Sequence, residues 1–192
     1  MLPGIDELVA DLIGTDESAA ETAVSGLAEG GEPAAAAMLH LLGSADAEHR
    51  WWAVRVLAAM QAPPTSWLLR ALGDTEADVR AAAALALGAH PDETAATLLV
   101  RALGDEDSLV AILAVNALVK IGGAAVPLLI DSFVGAPRRR QIHIMRALAE
   151  LRDPRGIRLM FASLEQHSAA LQYWAQEGLE RLGLNMIYLK PD

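Results

Sequence analysis

The stretch from Leu68 to Ile121 carries one pattern twice: an apolar segment closing on Leu-Gly-Asp, an acidic turn, then a second apolar segment. Arg70-Ala71-Leu72-Gly73-Asp74 is answered by Arg101-Ala102-Leu103-Gly104-Asp105. With Gly73 and Gly104 as markers, the spacing extends upstream to Gly43 and Gly14. Downstream it reaches Gly135, and Gln166 stands where a sixth marker falls. The intervals run from 29 to 31 residues by subtraction of these positions. No other feature constrains the fold as strongly. A unit of this size is one helix–turn–helix element, which buries its apolar face only by stacking on neighbours.

The second half of each unit keeps the register. Thirteen residues past the marker stand Leu27, Val56, Ala86, Ala117, Leu148 and Leu179, all apolar. One helical face is therefore kept buried from unit to unit. Composition agrees: 53% of the residues are hydrophobic, mostly Ala, Leu and Val, which favours closely packed helices over disorder. The expected fold is all-α, an α-solenoid of about six helix pairs forming a single domain over 1–192. The pairs fall at about 4–29, 31–61, 64–90, 91–122, 123–151 and 153–183, with 184–192 as a C-terminal cap. Thr75 with Asp78 reads as a capping box for the second helix of the third pair. Pro127 places a helix start near Val126.

At Leu72-Gly73-Asp74, Val79-Arg80, Ala82-Ala83 and Leu87-Gly88 the sequence resembles the HEAT-like repeat of the phycobilisome-lyase type. The third unit matches closely and the fourth fairly well, and the second keeps Gly43 and Arg50. The resemblance implies a right-handed solenoid with first helices on the convex side and second helices on the concave side. It also implies a family of interaction scaffolds that includes enzymes attaching bilin chromophores to phycobiliproteins.

That family pattern places polar residues eight and twelve positions past the marker, one turn apart on the exposed side of the second helix. Here the pairs are Thr22 and Gly26, Trp51 and Arg55, Ala81 and Leu85, Ile112 and Asn116, His143 and Ala147, and Trp174 and Gly178. Tryptophans, a leucine and an isoleucine at positions meant to be wet point to a binding surface, since Trp and Arg are enriched at hot spots. Trp51, Arg55, Leu85, Ile112, Asn116, His143 and Trp174 form the expected protein- or peptide-binding groove. An off-by-one register would instead make the tryptophans core, and of Trp51-Trp52 one must point inward. Arg50 and Arg80 read as braces between neighbouring turns, bonding acids such as Asp74 or Asp105.

The formal net charge is -10 and unevenly placed. Residues 1–49 hold ten acids and no Lys or Arg, whereas residues 138–158 hold seven arginines against Glu150 and Asp153. Overall sign disfavours generic nucleic-acid binding. Arg138, Arg139, Arg140 and Arg146 form a local patch for an anion or an acidic partner, and the acidic end of a second copy is one such partner. The chain has no cysteine, which excludes disulfides and thiolate metal sites. The N-terminus lacks a basic n-region, no stretch of about 18 uninterrupted apolar residues occurs, and a cytoplasmic protein is expected. The five histidines show no metal-ligand spacing, and the His-Glu dipeptides of HEAT-like iron hydroxylases are absent. No phosphate loop or nucleophile–base motif stands out, so no catalytic residue, metal or cofactor is assigned. The leading expectation is a non-catalytic scaffold. A bilin lyase or its partner subunit is the alternative, with Trp51, Arg55 and His143 as generic candidates. An anion or nucleic-acid binder using Arg138–Arg158 is the third.

Overall fold

The computed structural model describes residues 4–184. Among them the structure is helical throughout, with twelve α-helices in six pairs. The first three pairs are α1 (Ile5–Leu12) with α2 (Glu17–Ala28), α3 (Gly31–Leu41) with α4 (Ala47–Ala59), and α5 (Thr65–Ala71) with α6 (Ala77–Ala89). The last three are α7 (Ala96–Ala102) with α8 (Ser108–Ile121), α9 (Ala125–Asp131) with α10 (Arg138–Leu151), and α11 (Ile157–Leu164) with α12 (Ala169–Arg181). Three single 3-10 turns, Glu93–Ala95, Gly122–Ala124 and Pro154–Gly156, lead into α7, α9 and α11. The chain gathers into two compact units, Met1–His90 and Pro91–Asp192, each holding three helix pairs. The expected cap at 184–192 lies, but for Leu184, outside the described residues.

The acidic turns start the second helices. Asp16 accepts hydrogen bonds from Ser18 N and Ala19 N, and Asp46 accepts one from Glu48 N. Asp107 does the same for Leu109 N and Val110 N. Each thereby satisfies donors that a helix N-terminus leaves open. The third pair differs from its expected capping box: α6 has Glu76 at its N-cap and no capping side chain. Asp74, one residue ahead of Thr75, instead accepts from Glu76 N at 2.9 Å. The turn is one residue longer than the motif requires, so the aspartate of Leu-Gly-Asp folds the turn rather than capping the helix.

Within each unit the second helices stack on one another. In the first, α2 packs on α4 and α4 on α6; in the second, α8 packs on α10 and α10 on α12. The six residues at the thirteenth position, Leu27, Val56, Ala86, Ala117, Leu148 and Leu179, are each 1% exposed or less. Truncating a leucine there is expected to cost about 2–5 kcal/mol. The run from Ser108 to Asp131 contains 18 residues of mean hydropathy 2.1 and is long enough to cross a bilayer. Gly122, at φ 82°, breaks it into α8 and α9. Its apolar residues Val110, Ala111, Ala114, Val115, Ala117 and Leu118 are buried in the second unit, where α8 packs on α7 and α10.

The less exposed of the ion pairs between neighbouring repeats of the first unit joins Arg50 to Asp74. Arg50 Nε and Nη2 donate to Asp74 Oδ2 and Oδ1, both at 2.7 Å, and Nη1 donates to the carbonyls of Ser44 and Ala45. Both charged side chains are only 12% exposed. The hydrogen bond from Arg50 holds the Asp74 carboxyl below the usual carboxylate range, and the Glu76 N–H adds to this. Arg80 likewise donates to the carbonyls of Asp74 and Thr75 in its own turn. Of the marker glycines, Gly104 stands at a close approach, where a Cβ would meet Arg140 Cδ at 3.3 Å, whereas Gly135 takes a positive φ of 79° with open space around it.

Candidate functional site: two tryptophan clusters

In the first unit, Trp51 and Arg55 lie one turn apart on α4, as an i, i+4 pair must. Trp52 is buried, whereas Trp51 is half-buried, so the side of the helix carrying Trp51 faces outward. The two indoles meet edge to face with centroids 4.9 Å apart. The Arg55 guanidinium sits 5.4 Å from the Trp51 ring centroid. Its Nη2 donates to Glu21 Oε1 at 2.7 Å and Oε2 at 2.8 Å, reaching across from α4 to α2. Leu85, on α6, is 58% exposed.

Trp51 also walls a cleft of about 450 Å³ between α4 and α6, lined by Ala47, Glu48, Trp51, Glu76, Asp78 and Val79. Its three carboxylates belong to exposed residues, and Val79 forms a buried apolar base. Glu48 and Asp78 start the first turns of α4 and α6, where acids favour the helix dipole. These acids were not among the candidates drawn from the sequence. Their signal was there: Glu48 and Asp78 both stand five residues past their marker glycines, Gly43 and Gly73.

In the second unit the guanidinium of Arg146, on α10, lies 5.4 Å from the ring centroid of Trp174, on α12. Arg146 Nε donates to Glu150 Oε1 at 2.7 Å, one turn along α10. Tyr173 meets Trp174 edge to face at 5.2 Å and is 56% exposed. His143 precedes Arg146 by one turn of α10. Burial, then the charges of Arg139 and Arg146, push its imidazole below its ordinary range, so it is held neutral near pH 7. Ile112 is half-buried and Asn116 exposed, both on α8.

None of the seven expected groove residues is buried. The structure joins Trp51 to Arg55 in one unit and Arg146 to Trp174 in the other. The expectation that every twelfth-position residue is exposed fails for Ala147 and Gly178, and the eighth-position Ala81 is also buried. Packing of neighbouring helices explains this for Gly178, on α12: a Cβ there would meet Met160 Sδ of α11 at 2.8 Å and Ala149 Cα of α10 at 3.1 Å. The arginines of the patch lie along α10, and two of them bond to other segments of the second unit. Arg138 donates to Gln166 Oε1 at 2.6 Å and Arg139 to the Glu106 carbonyl at 2.9 Å, while Arg140 lies against Gly104.

Residues 65–143 match the family of HEAT repeats. The chain carries HEAT repeats. The matched stretch spans the third and fourth helix pairs and enters α10 of the fifth. No curated protein matches the sequence. Among solved structures, this HEAT-repeat protein is similar to an engineered protein at 24% identity, covering 95% of this chain and 97% of that one, with a TM-score of 0.53. It is similar to the complex of CpcE and CpcF of phycocyanin lyase from Nostoc sp. PCC7120 at 22% identity, covering 93% and 77%, TM-score 0.55. It is also similar to computationally designed armadillo repeat proteins for modular peptide recognition at 19% identity, covering 93% and 99%, TM-score 0.50. Likeness at these identities is one of fold, the α-solenoid of HEAT and armadillo repeats.

Proposed function

We propose that this HEAT-repeat protein is a non-catalytic adaptor that binds another protein or peptide on the exposed side of its second helices. The observation that carries the reading is the pair of outward-facing tryptophans, Trp51 and Trp174, at the same position of different repeats, each set against a guanidinium. A large indole held rigid by its neighbours loses little side-chain freedom on binding, which is what an anchor residue needs. Similar folds include a complex of CpcE and CpcF and designed proteins for peptide recognition, which supports a protein or peptide partner.

The test is affinity capture from lysate of the source cells by the wild type and by a Trp51→Ala/Trp174→Ala variant, read by mass spectrometry. The captured protein is then purified and titrated against both. A partner that binds the wild type and is weakened at least tenfold by the variant, with unchanged circular dichroism, supports the reading. Equal affinity for both overturns it. Bilin attachment is checked in the same samples by visible absorption, which a bound tetrapyrrole would give to the wild type.

A further inference from the structure

The cleft beside Trp51 narrows the chemistry of the partner, and the argument rests on the adaptor reading above. Twice in this molecule an indole is faced by a guanidinium that is in turn held by a carboxylate: Trp51 with Arg55 and Glu21, and Trp174 with Arg146 and Glu150. The cleft between α4 and α6 presents two of those three groups. It has the Trp51 indole and the carboxylates of Glu48, Glu76 and Asp78, over an apolar base of Ala47 and Val79, with no cation among its lining residues. We propose that this cleft receives an arginine or lysine side chain from a segment of a partner protein. The aliphatic stem would lie on Val79 and the indole, with the charged head among the carboxylates.

Three observations favour a basic side chain over other occupants. The nearby bases are engaged elsewhere: Arg50 is bound to Asp74 and Arg55 to Glu21. The cleft's volume of about 450 Å³ suits one or two side chains, not a whole helix. The acids belong to this site rather than to the repeat as such. The residues five past the markers in the next two repeats are Leu109 and Arg140, so the second unit does not reproduce the rim.

The probe is a dye-labelled peptide with two arginines spaced by Gly-Ser, titrated by fluorescence anisotropy at about 50 mM salt. A peptide with glutamates in place of the arginines is the control. Two variants are compared, each lacking three carboxylates: Glu48→Gln/Glu76→Gln/Asp78→Asn in the cleft, and Asp6→Asn/Glu7→Gln/Asp11→Asn on exposed α1. We expect the arginine peptide to bind the wild type and the α1 variant within twofold of each other. The cleft variant should bind at least tenfold more weakly, and the glutamate peptide should not bind. An equal loss in both variants would show attraction to net charge alone and overturn the cleft. So would undiminished binding to the cleft variant, or no binding by the wild type. If the captured partner still needs Trp51 while the arginine peptide ignores the cleft, this inference falls and the adaptor reading stands. Sedimentation without peptide decides the remaining occupant: a dimer that the cleft variant dissolves would put a second copy in the cleft and remove the separate partner.

Discussion

The Trp51 and Trp174 clusters contain the same three groups but assemble them differently. In the first unit the indole and guanidinium share α4, and the carboxylate, Glu21, comes from α2. In the second the guanidinium and carboxylate share α10, and the indole comes from α12. Each cluster thus has one contact within a helix and one between stacked helices. The contrast teaches that two indoles at the same repeat position can draw their partners from different helices. Their surroundings differ as well. Trp51 opens onto an acidic cleft, whereas Trp174 faces Arg146 of α10 and the exposed Tyr173. The three further acids of the cleft thus distinguish the surroundings of Trp51 from those of Trp174.

The sharpest way to break this comparison is to separate the outward indole from its inward neighbour. Trp52→Ala should cost about 3–5 kcal/mol in urea unfolding, as for a core aromatic. Trp51→Ala should cost only about 1 kcal/mol. Equal losses would mean that Trp51 is a core residue and the first cluster is not a surface.

Next comes the Arg50–Asp74 ion pair between repeats of the first unit. Arg50→Met should destabilise by about 2–3 kcal/mol at pH 7, the scale of charged hydrogen bonds left unmade. Because Asp74 titrates below its unfolded value, the pair's stabilisation is present above about pH 4 and is lost as pH falls through the folded-state value. Urea midpoints from pH 7 to pH 2 should therefore fall less steeply for Arg50→Met than for the wild type. A steeper fall would contradict the assignment. Asp153 in the second unit, pulled down to about 2 by Arg155, remains in both proteins and adds the same acid dependence to each.

A smaller and more specific contrast uses two glycines at the twelfth position. Gly178→Ala drives its Cβ toward Met160 and the Ala149 backbone and should cost about 1–3 kcal/mol. Gly26→Ala meets only the flexible tips of Leu8, at 3.0 and 3.2 Å, and gains helix propensity. Its effect should lie within about 1 kcal/mol of zero or be stabilising. Thermal melts of the two variants decide whether the last repeat is packed more tightly than the first. Smallest are Glu21→Gln and Glu150→Gln, each under about 1 kcal/mol because these pairs are partly exposed. Their signature is instead a change in indole fluorescence as each guanidinium is released, and no change would mean that the carboxylates do not position the arginines.

Much of the fold was legible because its signals are local or periodic. The marker spacing, the apolar thirteenth position and the aspartates that begin second helices all follow from helix geometry over a few residues. So do the i, i+4 neighbours Trp51 and Arg55. The Thr75 capping box failed because a one-residue difference in turn length is invisible to a motif. Ala147 and Gly178 were taken as surface because the register alone does not say how far neighbouring helices overlap.

The sequence by itself determined that this chain stacks helix pairs, since period and apolar pattern are properties of a single turn or helix. Only the tertiary structure decided that Trp52 turns inward and Trp51 outward. It also decided that Arg50 finds Asp74 across 24 positions and Arg55 finds Glu21 across 34. The same holds for the acids of two repeats that meet around one indole. Those contacts depend on how far each helix is rotated and shifted against the next, which is set by the summed packing of the buried faces.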